Sequence, residues 1–376
     1  MSEPIRVLHI AKSLGLGGTE KVMQLFATHL SRRWEAVVYS PRDGERGEML
    51  RAAGVATHIQ PDLFQVLQRV RPRLVHVHRA GWPEPELMRP LRNYGAPVVE
   101  TNVFGRFDPS PSGRAVTRHL FVSHFCARRF AALHGVPVEP PAYGVLYNPV
   151  DTDFFAQALP AGPDFAQALP AGPDFAQALP AGPDFSRPVV GRVSRADKGK
   201  WSPLALDFLP HALRAAPNLE YRIIGGIPEA EAWVDRNGLS GRVRFLPPVR
   251  TDAELAAFYG GCSVLAHAND TGESFGLVIA EAMACGLPVV THPCPPPRDN
   301  AQVELVDNEV TGFVAENAEE YGLAVARLLG DPALARRMGE AGRQKAARLY
   351  RAQTVTLQLE AIYDEILANQ AKGKTP

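Results

Sequence analysis

The chain has 376 residues, enough for about two domains, with 45% hydrophobic residues and 40 basic side chains balanced by 40 acidic ones. No window of roughly 18 apolar residues occurs, so no membrane-spanning helix is expected, and the opening MSEPIRVLHIAKS lacks the basic, apolar and small-residue order of a secretory signal. The charge is uneven: residues 1–150 hold 19 Lys and Arg against 12 Asp and Glu, a surplus of +7, which reads either as a solvated basic face or as a surface for an anionic partner such as a phospholipid headgroup.

In chain order, Ile5 to Ile10 has the short apolar run of a strand. A glycine-rich turn follows, Gly15-Leu-Gly-Gly-Thr-Glu20, and then Lys21 to Leu30 with Val22, Leu25, Phe26 and Leu30 on one helical face. Ala36–Tyr39, Val55–Ile59, Leu74–His78, Val98–Glu100, His119–Val122 and Val145–Tyr147 are further strand candidates, and the Asp62–Val70 and Phe125–His134 stretches are helical. A second series of strands runs through Val189–Val193, Tyr221–Ile224, Val243–Phe245, Ser263–Ala266, Pro288–Thr291 and Gly312–Val314. Strands separated by helices predict parallel sheets covered on both faces, here twice in tandem. Ala318 to Leu367 reads as helices. The four cysteines, Cys126, Cys262, Cys285 and Cys294, form no CxxC pair, which suits reduced thiols in a cytosol and argues against zinc.

Between the two series the decapeptide Phe-Ala-Gln-Ala-Leu-Pro-Ala-Gly-Pro-Asp occurs three times without change, at 155–164, 165–174 and 175–184. Each copy can make one helical turn, capped by the preceding Asp164 or Asp174, before Pro and Gly end it. A solenoid needs longer repeats that bury a shared core. The segment therefore reads as a linker insert, with a length-setting or self-associating role as the sharper alternative. The expected organisation is a domain at 1–150, a linker at 151–187, a second domain at 188–345, and a C-terminal helix at 346–376 that can return to the first domain.

Three stretches carry chemistry. Gly272 to Gly286 places Glu273 in a loop and Glu281 inside an apolar run, where a carboxylate needs a donor from the protein or a ligand. The start of that run offers the backbone N–H groups of Phe275, Gly276 and Leu277, a ready anion site. Val190-Gly-Arg-Val-Ser-Arg-Ala-Asp-Lys-Gly-Lys200 follows a strand and brings Arg192 and Lys198 to the end where open sheets bind phosphates. The first glycine loop lacks the third glycine of a dinucleotide fingerprint, since Glu20 stands in its place. His76 and His78 share one strand face, but two ligands are too few for a metal.

In this order ESFGLVIAEAMACGLPVV, GRVSRADKGK, GLGGTEKVMQLFATHL, LVHVHR, LFVSHFCARRF, VLYNPVDTDFF and VRFLPPV resemble glycosyltransferase family 4, the retaining nucleotide-sugar enzymes of GT-B fold. The resemblance covers nearly the whole chain. It implies an α/β protein of two Rossmann-like parallel-sheet domains facing across a cleft, with C-terminal helices. It implies that Arg192 and Lys198 grip the donor diphosphate, helped by Phe275, Gly276 and Leu277. Glu281 would accept from the ribose hydroxyls, Glu273 would bind the transferred sugar, and Gly17 and Gly18 would lie close to the phosphates. On the acceptor side Asn102 stands near the place where many relatives carry histidine, and His78 could reach the sugar.

No metal and no cofactor is implied, because the nucleotide-diphosphate sugar is a substrate. The expected acceptor is a glycan or a lipid-linked molecule, in cell-surface polysaccharide or lipopolysaccharide assembly, with the enzyme cytoplasmic or peripheral on the inner face of the membrane through its basic first domain. Arg32–Arg33 and Arg128–Arg129 are the candidates for that face. No aromatic residues interleave these bases, so nucleic acid is disfavoured. The alternatives are a GT-B relative with other chemistry, an inverting transferase or a nucleotide-sugar epimerase, and a non-catalytic nucleotide-sugar-binding subunit.

Overall fold

The computed structural model describes residues 3–111, 113–157 and 182–373. The repeat segment lies almost wholly outside them. The chain divides into two compact units, Met1–Val150 with Tyr350–Pro376, and Asp151–Leu349.

The first unit is built on a seven-stranded sheet in the order β3-β2-β1-β4-β5-β6-β7, all pairs parallel. The strands are β1 Ile5–Ile10, β2 Trp34–Ser40, β3 Ala56–Ile59, β4 Leu74–Arg79, β5 Val98–Asn102, β6 Arg118–Phe121 and β7 Tyr143–Val145. Alternation along the strands sorts the side chains into two layers. Leu8, Ile10, Val75 and Val77 pack under Leu63, Val66, Leu67, Met88 and Leu91 on one face. The intervening His9, His76 and His78 point the other way and lie against Phe26 and Tyr363. Tyr363 belongs to the Ala352–Ala371 helix. That helix is tied down at several places. Glu360 accepts from the Ser31 N–H and hydroxyl at 2.6 and 2.8 Å, and Arg33 meets Asp364 at 2.7 Å. Arg118 meets Glu365 at 2.8 Å, and the Tyr363 hydroxyl lies 2.6 Å from His76 Nδ1.

The second unit has a six-stranded parallel sheet in the order β10-β9-β8-β11-β12-β13. Its strands are β8 Val189–Val193, β9 Glu220–Ile224, β10 Val243–Leu246, β11 Val264–Ala266, β12 Val289–Thr291 and β13 Gly312–Val314. Val190, Tyr221, Ile223, Val264 and Val290 pack with Phe208, Leu209, Tyr321 and Val325 to form its core. Two sheets of this kind give the doubly wound α/β architecture that strand and helix alternation predicted. No helix among the described residues is long and apolar enough to cross a membrane.

Candidate functional site

In each sheet the chain runs outward, crosses back and continues on the other side, which leaves a switch point between neighbouring strands. Open α/β sheets bind ligands at the carboxyl ends of the strands that flank it. In the first unit the switch point lies between β1 and β4, and in the second between β8 and β11. The loop after β8 carries Lys198 and Lys200. The loop after β11 carries His267, Asn269, Gly272 and Glu273.

Glu273 is the centre of the second group. Lys200 Nζ lies 3.0 and 3.1 Å from its two oxygens, Asn269 Nδ2 donates to Oε1 at 2.6 Å, and His267 Nε2 stands 3.3 Å away. Burial alone would raise the Glu273 pKa. The His267 hydrogen bond and the Lys200 charge together outweigh burial and hold the carboxyl at about 2. Burial, in turn, lowers the basicity of His267 despite Glu273 beside it. Glu273 is therefore a fixed anion at neutral pH, held by a cation and two polar neighbours. Its backbone N–H donates to Gln302 Oε1 at 2.9 Å. Gly272 permits the approach: its φ is +67°, and a Cβ there would stand 1.6 Å from the Asp299 carbonyl oxygen. Asn269 keeps one polar atom to spare, since its buried Oδ1 has no partner among the described residues.

Arg192 lies near the carboxyl end of β8, as the sequence places it. Its side chain shares the inward face of β8 with Val190, and it is 1% exposed. It donates to the Ala268 carbonyl at 2.7 Å and to the Lys200 carbonyl, and stacks over Trp201 at 4.5 Å. These bonds tie it to the loops after β8 and β11, while its Nε has no partner among the described residues. Lys198 is exposed on the Lys198–Lys200 turn and pairs with Glu229. The cation that reaches the carboxylate is Lys200.

The apolar run forms the Leu277–Ala284 helix, with Gly276 as its cap at φ +106°. The helix starts two residues after Phe275, because the left-handed glycine turns the chain before it can coil. The N–H groups of the helix itself begin at Leu277. Phe275 is buried ahead of the cap. Glu281 is 2% exposed inside the helix. Burial pushes the Tyr259 phenol well above its usual range, and the Glu281 charge adds to that effect.

In the first unit Gly17 caps the Gly18–His29 helix with no side-chain bond. Glu20 folds back over this start: its Oε1 accepts from Ser13 Oγ at 2.9 Å, and its Oε2 would lie 2.1 Å from a Cβ on Gly17. Asn102 is held by its own turn. Its amide donates to the Arg106 carbonyl at 2.7 Å and its oxygen accepts from the Arg106 N–H at 3.1 Å, which closes the turn after β5. His78 is buried too, with Nε2 3.1 Å from His9 Nδ1. The β1–β4 register sets His9 beside His76, so three histidines meet where the sequence showed two. Their rings stack, His76 on His78 at 4.2 Å, and both His76 nitrogens are taken by Tyr363 and Thr101. One ring nitrogen from each of the three lies within 4.8 Å of the others. Lys200, His267, Asn269 and Gln302 were not singled out in the sequence. The polar run His-Ala-Asn-Asp directly after the apolar β11 was the available signal.

The family described as Glycosyl transferases group 1 matches residues 181–345. The chain is 28% identical to the GDP-mannose-dependent alpha-(1-6)-phosphatidylinositol monomannoside mannosyltransferase of Mycolicibacterium smegmatis, over 88% of this chain and 90% of that protein. It is 34% identical to the N-acetyl-alpha-D-glucosaminyl L-malate synthase of Bacillus anthracis, where the match spans 36% of this chain and about a third, 34%, of that enzyme. Among solved structures, a glycosyltransferase from Rickettsia africae superposes with a TM-score of 0.75 at 16% identity, covering 98% of this chain and 100% of that one. Anabaena Alr3699/HepE, solved with UDP and glucose, gives 0.73 at 19% identity, covering 96% and 100%. These likenesses agree with the two parallel sheets described above. The chain has the GT-B fold, and its residues 181–345 are similar to the group 1 glycosyl transferases.

Proposed function

We propose that the chain is a retaining glycosyltransferase that moves a sugar from a nucleotide-diphosphate donor, held by the second unit, to a glycan or lipid-linked acceptor. One observation carries the reading: at the β8–β11 switch point an ionised carboxylate, Glu273, stands beside Lys200 and the unpartnered Asn269 Oδ1. A carboxylate and an amide oxygen accept from sugar hydroxyls. The lysines and the Leu277 helix start favour phosphate. The Lys198–Glu229 pair is solvent-exposed and weak, so Lys198 can exchange it for a diphosphate. Glu281 is assigned to the ribose hydroxyls.

In the reaction the bond from the sugar carbon to the diphosphate oxygen breaks and its electron pair leaves on that oxygen. Fixed positive charge aimed there lowers the barrier as the sugar becomes cationic. The acceptor oxygen bonds to the same face of the sugar and passes its proton to the departing phosphate. With Lys198 and Lys200 neutralising that charge, the scheme requires no metal. The M. smegmatis relative, by its name a GDP-mannose-dependent enzyme acting on a phosphatidylinositol mannoside, supports a membrane-lipid acceptor, and mannosyl or inositol-related transfer fits as well as surface-polysaccharide assembly. The work would then take place at the cytoplasmic face of a membrane. Self-association through the 155–184 repeats is part of the same reading, and chains with one, two and three copies should differ in oligomeric state.

A panel of nucleotide sugars tests the function. One donor should raise the melting temperature and support transfer with the donor's anomeric configuration kept. Glu273→Gln and Lys200→Ala should each lower turnover by about 100-fold. Inverted product, or full turnover in both variants, overturns the reading.

A further inference from the structure

The edge of the first unit's sheet carries a cavity of about 600 Å³, walled by β6, β7, the His124–His134 helix and, through Ile362, the C-terminal helix. That size suits a small ligand. β7 lies three strands from β4, roughly 14 Å at ordinary strand spacing. The cavity is therefore removed from the β1–β4 switch point, where this kind of sheet binds its usual ligand.

Its walls have two chemistries. Leu120, Val145 and Ile362 are apolar, while Arg118, His124 and Arg128 are basic. His124 and Arg128 stand one turn apart at the N-terminal end of their helix, where the backbone dipole adds positive potential. The Arg118 side chain is 5% exposed. It meets one carboxylate, Glu365, at 2.8 Å, and its Nε has no partner among the described residues. A buried guanidinium with so few acceptors costs the fold stability. An anion beside it would supply what is missing.

We propose that this cavity binds an amphipathic anion, with an apolar chain along Leu120, Val145 and Ile362 and a phosphate ester or carboxylate against Arg118 and Arg128. The site is separate from the donor site of the second unit. A free amphiphile and a bilayer lipid offer the same chemistry, and the test separates them.

Decyl phosphate is titrated into the full chain by calorimetry, with inorganic phosphate and decanol as controls. Decyl phosphate should bind at least about tenfold more tightly than either control, because only it satisfies both walls. Arg128→Glu should weaken it by at least about tenfold, and Ala131→Trp, which fills the cavity from a part-exposed helix position, should abolish binding. Pelleting with phosphatidylcholine vesicles containing phosphatidic acid then identifies the source. Pelleting that decyl phosphate displaces and Arg128→Glu abolishes marks a bilayer lipid. Decyl phosphate binding without pelleting marks a free amphiphile. No decyl phosphate binding, or equal binding by wild type and both variants, overturns the proposal. Stabilisation by the nucleotide sugar should persist in both variants, so this site can fail without the donor site failing, and the reverse.

Discussion

Acid should loosen the first unit through its buried histidines. Burial lowers the basicity of His9 to about 3, and that of His76 and His78 well below the ordinary value of 6.5; the three also oppose one another's protonation. Their surroundings are Phe26, Thr101 and Tyr363. Glu360, whose charge reaches Tyr363, is already held by Ser31. In the unfolded chain each histidine takes up a proton near pH 6.5, while in the folded chain it stays neutral to much lower pH. Below pH 6.5 the unfolded state thus binds more protons, and stability falls as pH falls. The slope is about 1.4 kcal/mol per pH unit for each histidine, or roughly 4 for the trio. Between neutrality and pH 5 the loss is on the order of 6 kcal/mol, comparable with the whole stability of a typical domain.

Hydrogen exchange of peptides covering β1 and β4, corrected for intrinsic rates, reads this directly from pH 7.5 to 5. His9→Gln should reduce the slope by about a third, whatever it does to stability at neutral pH. An equal slope in both proteins, or a flat profile in the wild type, would refute the argument.

Three further outcomes follow from the second unit. Lys200→Met should raise the Glu273 pKa from its value of about 2, because the ion pair is removed while burial remains; carbon-detected NMR titration of the side-chain carboxyl would show it. Arg192→Met leaves the Ala268 and Lys200 carbonyls without their donor and should cost about 3 kcal/mol in urea unfolding followed by Trp201. Gly191→Ala sets a Cβ 2.7 Å from Cys262 Sγ and 3.1 Å from the Phe258 ring; overpacking there should cost about 1–3 kcal/mol by the same measurement.

The strands were legible because each is a short apolar run between turn signals, and alternating helices left little choice but two parallel sheets. The burial of Arg192 follows from the same logic. Arg192 stands two residues from Val190, so any strand that buries one buries the other. Lys198 and Lys200 were harder to rank, because the tight turn between them decides which one points at Glu273, and propensity does not describe that turn. The helix start moved past Phe275 because Gly276 adopts a left-handed conformation that no pattern of apolar residues encodes. The third histidine was out of reach for a different reason: His9 lies 67 positions from His76 in the chain, and only the pairing register brings them together.

The return of the Ala352–Ala371 helix to the first unit has a consequence for synthesis. The residues that begin this unit leave the ribosome first, yet its last element follows 199 residues that build the other unit. At ordinary elongation rates that is a delay of roughly 10–40 s. During it the faces of Trp34 and His76 that Tyr363 will cover have no partner from that helix. The second unit is contiguous and can complete itself within that interval. The second unit thus has all its residues before the first unit receives its last helix.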